Sequence, residues 1–233
     1  MLEVAALDAW YGQAQILYGV SLSVGAGECV ALVGRNGAGK STTMKAVMGL
    51  LAKKRGRVAF RGHDVSAWPA YRIARLGLGW VPEDRRVFTE LTVRENLAVA
   101  RQPARDGAPE WTPEKLYALF PNLGAMPERP GGRMSGGEQQ MLTVARTLMG
   151  NPYLVLLDEP SEGVAPLIVE EMARMIVALK QAGVAILLSE QNLHFAQLVS
   201  DRAVVLEKGE VKFEGAMHDL MRDEALQRAH LSL

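Results

Sequence analysis

The run Gly34-Arg35-Asn36-Gly37-Ala38-Gly39-Lys40-Ser41 obeys G-x-x-x-x-G-K-[ST] and is continued by Thr42. Its chemistry is phosphate binding. Glycines without a Cβ let backbone N–H groups close around an anion, and the N-terminus of a following helix adds its dipole. A lysine can reach the β- and γ-phosphates, and the Ser41 hydroxyl can ligate Mg²⁺. The bland alternative, an ordinary glycine-rich turn, does not require the apolar run Cys29–Val33 before it or the helical pattern Thr42–Leu50 after it. A second group is Asp158-Glu159, which closes the apolar run Tyr153–Leu157. Carboxylates at the C-terminal end of a buried strand are where a nucleotidase places a magnesium ligand and a water-orienting base. Asp158 is expected to hold Mg²⁺ and Glu159 to polarise the attacking water, against the simpler reading of an acidic turn before Pro160. A third group is Ser135-Gly136-Gly137-Glu138. Ser135 and Glu138 have capping-box spacing, and Met141, Leu142, Ala145, Leu148 and Met149 then recur on one helical face. A two-glycine helix start with a serine hydroxyl can bind an anion as well as cap a helix. Since the chain already has one phosphate loop, the economical use of this second end is to close over the nucleotide of a facing subunit.

These residues need a sheet-centred scaffold. Val20–Val24 alternates apolar and polar residues, and Gly25-Ala26-Gly27 turns the chain into the strand before the phosphate loop. Arg57–Phe60 predicts a short strand closed by Gly62, and Leu76–Val81 a strand stopped by Pro82. From about residue 83 the pattern becomes helical. Thr92-Val93-Arg94-Glu95 has capping-box form and opens a helix over Asn96–Arg101, Gln102–Pro113 predicts a loop, and Glu114–Phe120 a short helix. Pro121–Gly132 is broken by Pro and Gly. Tyr153–Leu157 and Val184–Leu188 are continuous apolar runs, as expected of parallel strands covered on both faces, with a helix over Leu167–Gln181 between them. Ala203–Phe213 predicts a hairpin through Lys208-Gly209, and the last twenty residues a polar helix, read as a packing element with a regulatory tail as the alternative. The expected division is a β-rich core over 1–82 and 151–233 with a helical insertion over 83–150, within one domain spanning 1–233.

Composition narrows the classes. The chain has 233 residues, long enough for a large α/β core, and its 26 basic and 26 acidic side chains cancel. No basic run suggests a nucleic-acid partner. The only cysteine, Cys29, lies in an apolar strand and predicts a core thiol in a reducing compartment. The N-terminal residues do not read as a secretory leader, and no apolar run approaches the ~20 residues of a membrane-spanning helix. Any membrane role is therefore expected to pass through a partner.

Taken in order, the phosphate loop, the helical insertion, Ser135-Gly136-Gly137-Glu138-Gln139 and Asp158-Glu159 resemble the ATPase subunit of an ABC transporter over essentially the whole chain. The resemblance implies an α/β P-loop NTPase (RecA-like) core, an N-terminal antiparallel β subdomain and an inserted α-helical subdomain. It also implies head-to-tail dimers, homo- or heterodimeric, that hold two ATP molecules between one subunit's phosphate loop and the other's Ser135–Glu138 segment. Tyr11 matches the aromatic residue that stacks on adenine. Glu83 falls where the family usually has a glutamine that reaches the γ-phosphate and Mg²⁺ and contacts the membrane subunits. Ala165 replaces the aspartate commonly found in the loop after the base. Gln191 falls where a histidine usually touches the γ-phosphate; glutamine can donate a hydrogen bond there but cannot carry a proton. His194 is given no such role. Glu83, the run Ser161–Pro166 and Ser189-Glu190-Gln191-Asn192 are similar to one branch, the smaller ATPase of branched-chain amino-acid importers. That branch implies two permease chains, a second ATPase, an external solute-binding protein, and a cytoplasmic position on the inner face of the cell membrane. A urea or amide importer, an exporter, and a soluble ABC ATPase are the alternatives. Nothing in the sequence accounts for Glu162.

Overall fold

The computed structural model describes residues 1–231. Strands β1 (Leu2–Tyr11), β2 (Ala14–Val24), β4 (Lys53–Phe60) and β5 (His63–Asp64) form an antiparallel sheet in the order β2-β1-β4-β5. A second sheet has the order β10-β9-β3-β8-β7-β6, built from β3 (Cys29–Val33), β6 (Leu78–Val81), β7 (Leu154–Asp158), β8 (Ala185–Glu190), β9 (Arg202–Glu207) and β10 (Glu210–Ala216). Its members are parallel except for the edge strand β10. Every residue of β3, β7 and β8 is buried, which explains their unbroken apolar runs. Helix α1 (Lys40–Val47) follows β3, and its Met44, Ala46 and Val47 join β1, β2 and β4 in one apolar cluster.

Between β6 and β7 lie α3 (Val93–Val99), α4 (Pro113–Leu119), α5 (Pro121–Gly124) and α6 (Gly136–Leu148). This helical stretch has no core of its own. Leu116, Phe120 and Leu123 share a cluster with Met141, Leu142 and Leu148 of α6 and with Val155, Leu157, Ile186 and Leu188 of the sheet. Helix α6 is therefore the wall common to both parts. Helix α7 (Pro166–Gln181) covers the same face, while α8 (Leu193–Val199) and α9 (Met217–Arg222) pack against β3 and β9.

Several expected boundaries move. Helix α1 begins at Lys40 and ends at Val47, because Met48 caps it and Gly49 turns left-handed at φ +69°. A helix α2 (Ala70–Leu76) takes Leu76, which the sequence assigns to a strand; Gly77 at φ +105° ends the helix and the strand starts at Leu78. Thr92 and Glu95 form the expected reciprocal cap, but α3 runs Val93–Val99 and stops before Arg101. Within Pro121–Gly132 the short α5 forms behind Pro121. The hairpin turns at Lys208 (φ +47°) and Gly209 (φ +80°), a two-residue turn of the kind right-twisted strands favour. The C-terminal stretch is not one helix. Asp223 leaves helical geometry after α9 and caps a new helix, α10 (Glu224–His230), accepting from the Leu226 N–H at 2.9 Å. Buried Met217 and Leu220, partly buried Leu226 and Leu231, and a 2.8 Å His230–Glu207 contact make this segment a packing element. Residues 232 and 233 lie outside the described residues.

Candidate nucleotide site

The phosphate loop is held from behind by β9. A Cβ at Gly34 would overlap the Leu206 carbonyl oxygen, and the Gly209 N–H donates to the Ala38 carbonyl at 2.9 Å. Gly39 sits at φ +110°, where a Cβ would lie 2.7 Å from Leu17 Cδ2 of β2. Both positions therefore need glycine for packing and backbone reasons as well as for ligand access. Arg35, Asn36 and Gly37 are exposed at the loop tip, whereas Ala38, Lys40 and Thr42 are buried and Ser41 is half-buried.

Lys40 Nζ donates to the carbonyls of Gly34 at 2.8 Å and Arg35 at 3.1 Å, and it pairs with Glu159 Oε1 at 3.1 Å. The two side chains are 3% and 8% exposed, so the pairing offsets part of what each loses on leaving water. Beside this pair, Ser41 Oγ donates to Asp158 Oδ1 at 2.9 Å. The structure thus joins the two distant motifs at two points, lysine to glutamate and serine to aspartate. The sheet order explains how. β8 lies between β3 and β7 and pairs with both, so the C-terminal ends of all three strands share one edge.

That edge also contains residues the motifs did not reveal. Ser189 lies opposite Asp158 in the β7–β8 register, and its Oγ donates to Asp158 Oδ1 at 2.9 Å. The signal available was a serine closing an apolar strand parallel to the one that carries the aspartate. Burial pushes the Asp158 carboxyl above its ordinary range, and the two serine hydroxyls pull against that shift. Glu190, 2% exposed, accepts from the N–H groups of Ser161 at 3.1 Å and Asn192 at 3.3 Å. It thereby ties the loop after Glu159 to the start of α8. Burial raises its carboxyl to about 7.

Glu159 has φ +46°, an uncommon conformation for a non-glycine residue, held by a 3.0 Å bond from its N–H to the Ser189 carbonyl. Burial raises its carboxyl, but a hydrogen bond from Glu162 and the charge of Lys40 outweigh burial and hold it below the ordinary range. Glu162 moves the other way. Its hydrogen bond to Glu159 is the main cause that lifts it to about 7. The two carboxyls thus shift in opposite directions, Glu159 down and Glu162 up, because each faces the other, and that pairing gives Glu162 a physical role. Glu159, Ser161, Glu162, Glu190, Gln191 and Asn192 line a cavity of about 320 Å³. Gln191 is exposed at its mouth, and His194 is exposed on α8.

The remaining candidates are placed elsewhere. Tyr11 ends β1 and is 47% exposed. Glu83 is exposed after β6, and among the described residues it makes no hydrogen bond to Ser41 or Asp158. Ser135 caps α6. Its Oγ accepts from the Glu138 N–H at 3.3 Å, and its own N–H donates to Glu138 Oε2 at 2.7 Å. The serine hydroxyl proton and the N–H groups of Gly136 and Gly137 stay available for an anion. Among the described residues no hydrogen bond joins Ser135–Glu138 to the phosphate loop of the same chain.

The Cys29 thiol is buried and pushed up to about 12, first by burial, which makes it an unreactive core group. No helix among the described residues is long and apolar enough to cross a membrane.

A family profile described as ABC transporter matches residues 17–162. The high-affinity branched-chain amino acid transport ATP-binding protein BraG of Pseudomonas aeruginosa is 42% identical over 219 residues, covering 94% of this chain and 92% of that protein. The lipopolysaccharide export system ATP-binding protein LptB of Haemophilus influenzae is 34% identical, covering 95% of this chain and 92% of its own length. Among solved structures, an ATP-binding subunit of an ABC transporter superposes with a TM-score of 0.80 at 30% identity, covering 99% of this chain and 96% of that one.

Proposed function

This chain belongs to the ABC transporter ATP-binding family, and from that premise we propose that it powers an importer of branched-chain or related amino acids. It is the ATP-hydrolysing subunit of a transporter, working as one of two ATPase subunits beside transmembrane permeases. The observation that carries the cargo reading is its 42% identity to an amino-acid transport subunit, against 34% to a lipopolysaccharide export subunit over similar lengths. The export likeness is the second reading. In our reading the subunit sits on the cytoplasmic face of the membrane, held there by the permeases, with a solute-binding protein delivering cargo from outside. Co-purification with permease chains, followed by leucine uptake in reconstituted vesicles, tests the cargo. Uptake that ignores amino acids while ATPase activity responds to another solute would contradict it.

The chemistry follows from the site. Tyr11 stacks on adenine, and the N–H groups of residues 34–42 hold the β- and γ-phosphates. Lys40 exchanges its contacts with Gly34, Arg35 and Glu159 for phosphate oxygens, which frees the Glu159 carboxylate. Glu159 then orients a water in line with the γ-phosphorus and accepts its proton. A bond forms from the water oxygen to phosphorus, and the bond to the bridging oxygen breaks, leaving ADP and phosphate. Gln191 donates a hydrogen bond to the γ-phosphate. Ser41 and Asp158 present hard oxygen atoms on one spot, which suits Mg²⁺ with the nucleotide's oxygens and water completing its shell. That ion would neutralise charge on the phosphates. Glu83 contributes to the γ-phosphate and magnesium environment only after moving inward. Ser135, Gly136 and Gly137 complete the site of the facing ATPase subunit, and Glu138 fixes Ser135 for that task.

A further inference from the structure

The segment linking Glu83 to the helical region carries a guanidinium that the mechanism above leaves unused. Arg85 is half-buried, and its side chain makes no hydrogen bond or ion pair among the described residues. The neighbouring cations of the same region are engaged. Arg86 pairs with Asp84 at 2.8 Å, and Arg146 donates to the Arg86 carbonyl at 2.6 Å. Arg85 instead lies over the start of α6. Its Nη1 fills the space where a Cβ of Gly136 would stand, and its Nη2 would be 3.8 Å from a Cβ on Gly163, in the loop after Glu159.

A cation resting on a helix N-terminus opposes the positive end of the helix dipole, an arrangement that favours an anion arriving between them. Arg85 therefore adds positive charge where Ser135, Gly136 and Gly137 already offer donors. Its backbone shows which site it serves. Thr143 Oγ1 of α6 donates to the Arg85 carbonyl, and Arg146 of α6 to the next carbonyl. These bonds tie the segment to α6. No hydrogen bond among the described residues joins residues 82–91 to the chain's own phosphate loop.

We propose that Arg85 is a phosphate-binding residue supplied in trans, contacting the γ-phosphate held by the phosphate loop of the facing subunit. The proposal rests on the dimer reading above. A planar guanidinium can hold two phosphate oxygens at once, and it carries its charge at every physiological pH. It would distinguish ATP from ADP because only the triphosphate extends to α6.

The test uses Glu159→Gln as the background and reads Mg-ATP-dependent dimerisation by sedimentation, with monomer affinity for a fluorescent ATP analogue measured separately. The background chain, alone or mixed with the second ATPase subunit of its transporter, dimerises with ATP and not with ADP; if neither pairing forms at any ATP concentration, the dimer reading itself fails and takes this inference with it. With that background intact, adding Arg85→Ala weakens ATP-dependent dimerisation at least ~tenfold, as loss of a charge-assisted phosphate contact should. Arg85→Lys restores part of the loss, and monomer binding of the analogue stays unchanged in both. Dimerisation equal to the background in Arg85→Ala overturns the proposal and leaves the dimer reading standing. Monomer affinity that falls in parallel places Arg85 on its own chain's nucleotide and overturns the assignment in trans.

Discussion

Replacing Glu190 by glutamine should make the protein more stable at alkaline pH while leaving it nearly unchanged in acid. Glu190 is 2% exposed, and burial raises its carboxyl from 4.5 to about 7. A carboxyl raised on folding binds its proton more tightly in the folded chain than in the unfolded one. Its contribution is therefore intact below the unfolded value, and stability is lost progressively as pH climbs from 4.5 to about 7. Each unit is worth about 1.4 kcal/mol, so the ionised form costs the folded state about 3 kcal/mol above pH 7. Glutamine cannot ionise, and its amide oxygen can still accept from the Ser161 N–H. Urea or thermal unfolding at pH 5 and pH 8 reads the difference. Between those values the gap between Glu190→Gln and the parent should shift by about 2–3 kcal/mol in the variant's favour, roughly 5–10 °C in Tm for a chain of this size. A gap that is the same at both pH values would refute the reasoning.

Other outcomes follow from the same edge of the sheet. Ser189→Ala removes one of the two hydroxyls that hold Asp158, so it should lower stability by about 1–2 kcal/mol at pH 8 and raise the Mg²⁺ concentration needed for half-maximal ATPase activity. An unchanged Mg²⁺ requirement would separate Asp158 from the metal. Glu162 is protonated below about pH 7, where its hydrogen bond weakens Glu159 as a base; above that pH its charge strengthens it. Turnover should therefore rise through pH 7, and Glu162→Gln, a permanent donor, should hold the low-pH rate throughout; an inflection that survives in the variant assigns it to another group. Glu159→Gln should abolish turnover while ATP still binds, and steady hydrolysis in that variant would remove Glu159 from the chemistry.

The fold was legible where one element type satisfies both local pattern and burial. The apolar runs that became β3, β7 and β8 and the capping boxes at Thr92 and Ser135 are of this kind. The places of the phosphate loop and Asp158-Glu159, each at the end of a buried strand, were legible because each follows an unbroken apolar run. Ser189 and Glu190 were not, since their roles depend on β8 being inserted between β3 and β7, an order that no local pattern contains. Helix α2 was missed because Leu76 borders an apolar strand and only Gly77 separates the two. The break at Asp223 is a capping event inside an otherwise helical composition. Glu162 became intelligible only when the positive φ of Glu159 turned the loop so that the two carboxyls meet.

All of the catalytic account depends on a site built by two chains. The most direct measurement is a crystal structure of the Glu159→Gln protein grown with Mg-ATP. It should show Ser135, Gly136 and Gly137 of one subunit within hydrogen-bonding distance of the γ-phosphate seated on residues 34–41 of the other, with Lys40 turned from position 159 to the phosphates. A triphosphate bound there with every Ser135–Gly137 segment facing solvent, in each possible pairing of subunits, would contradict it.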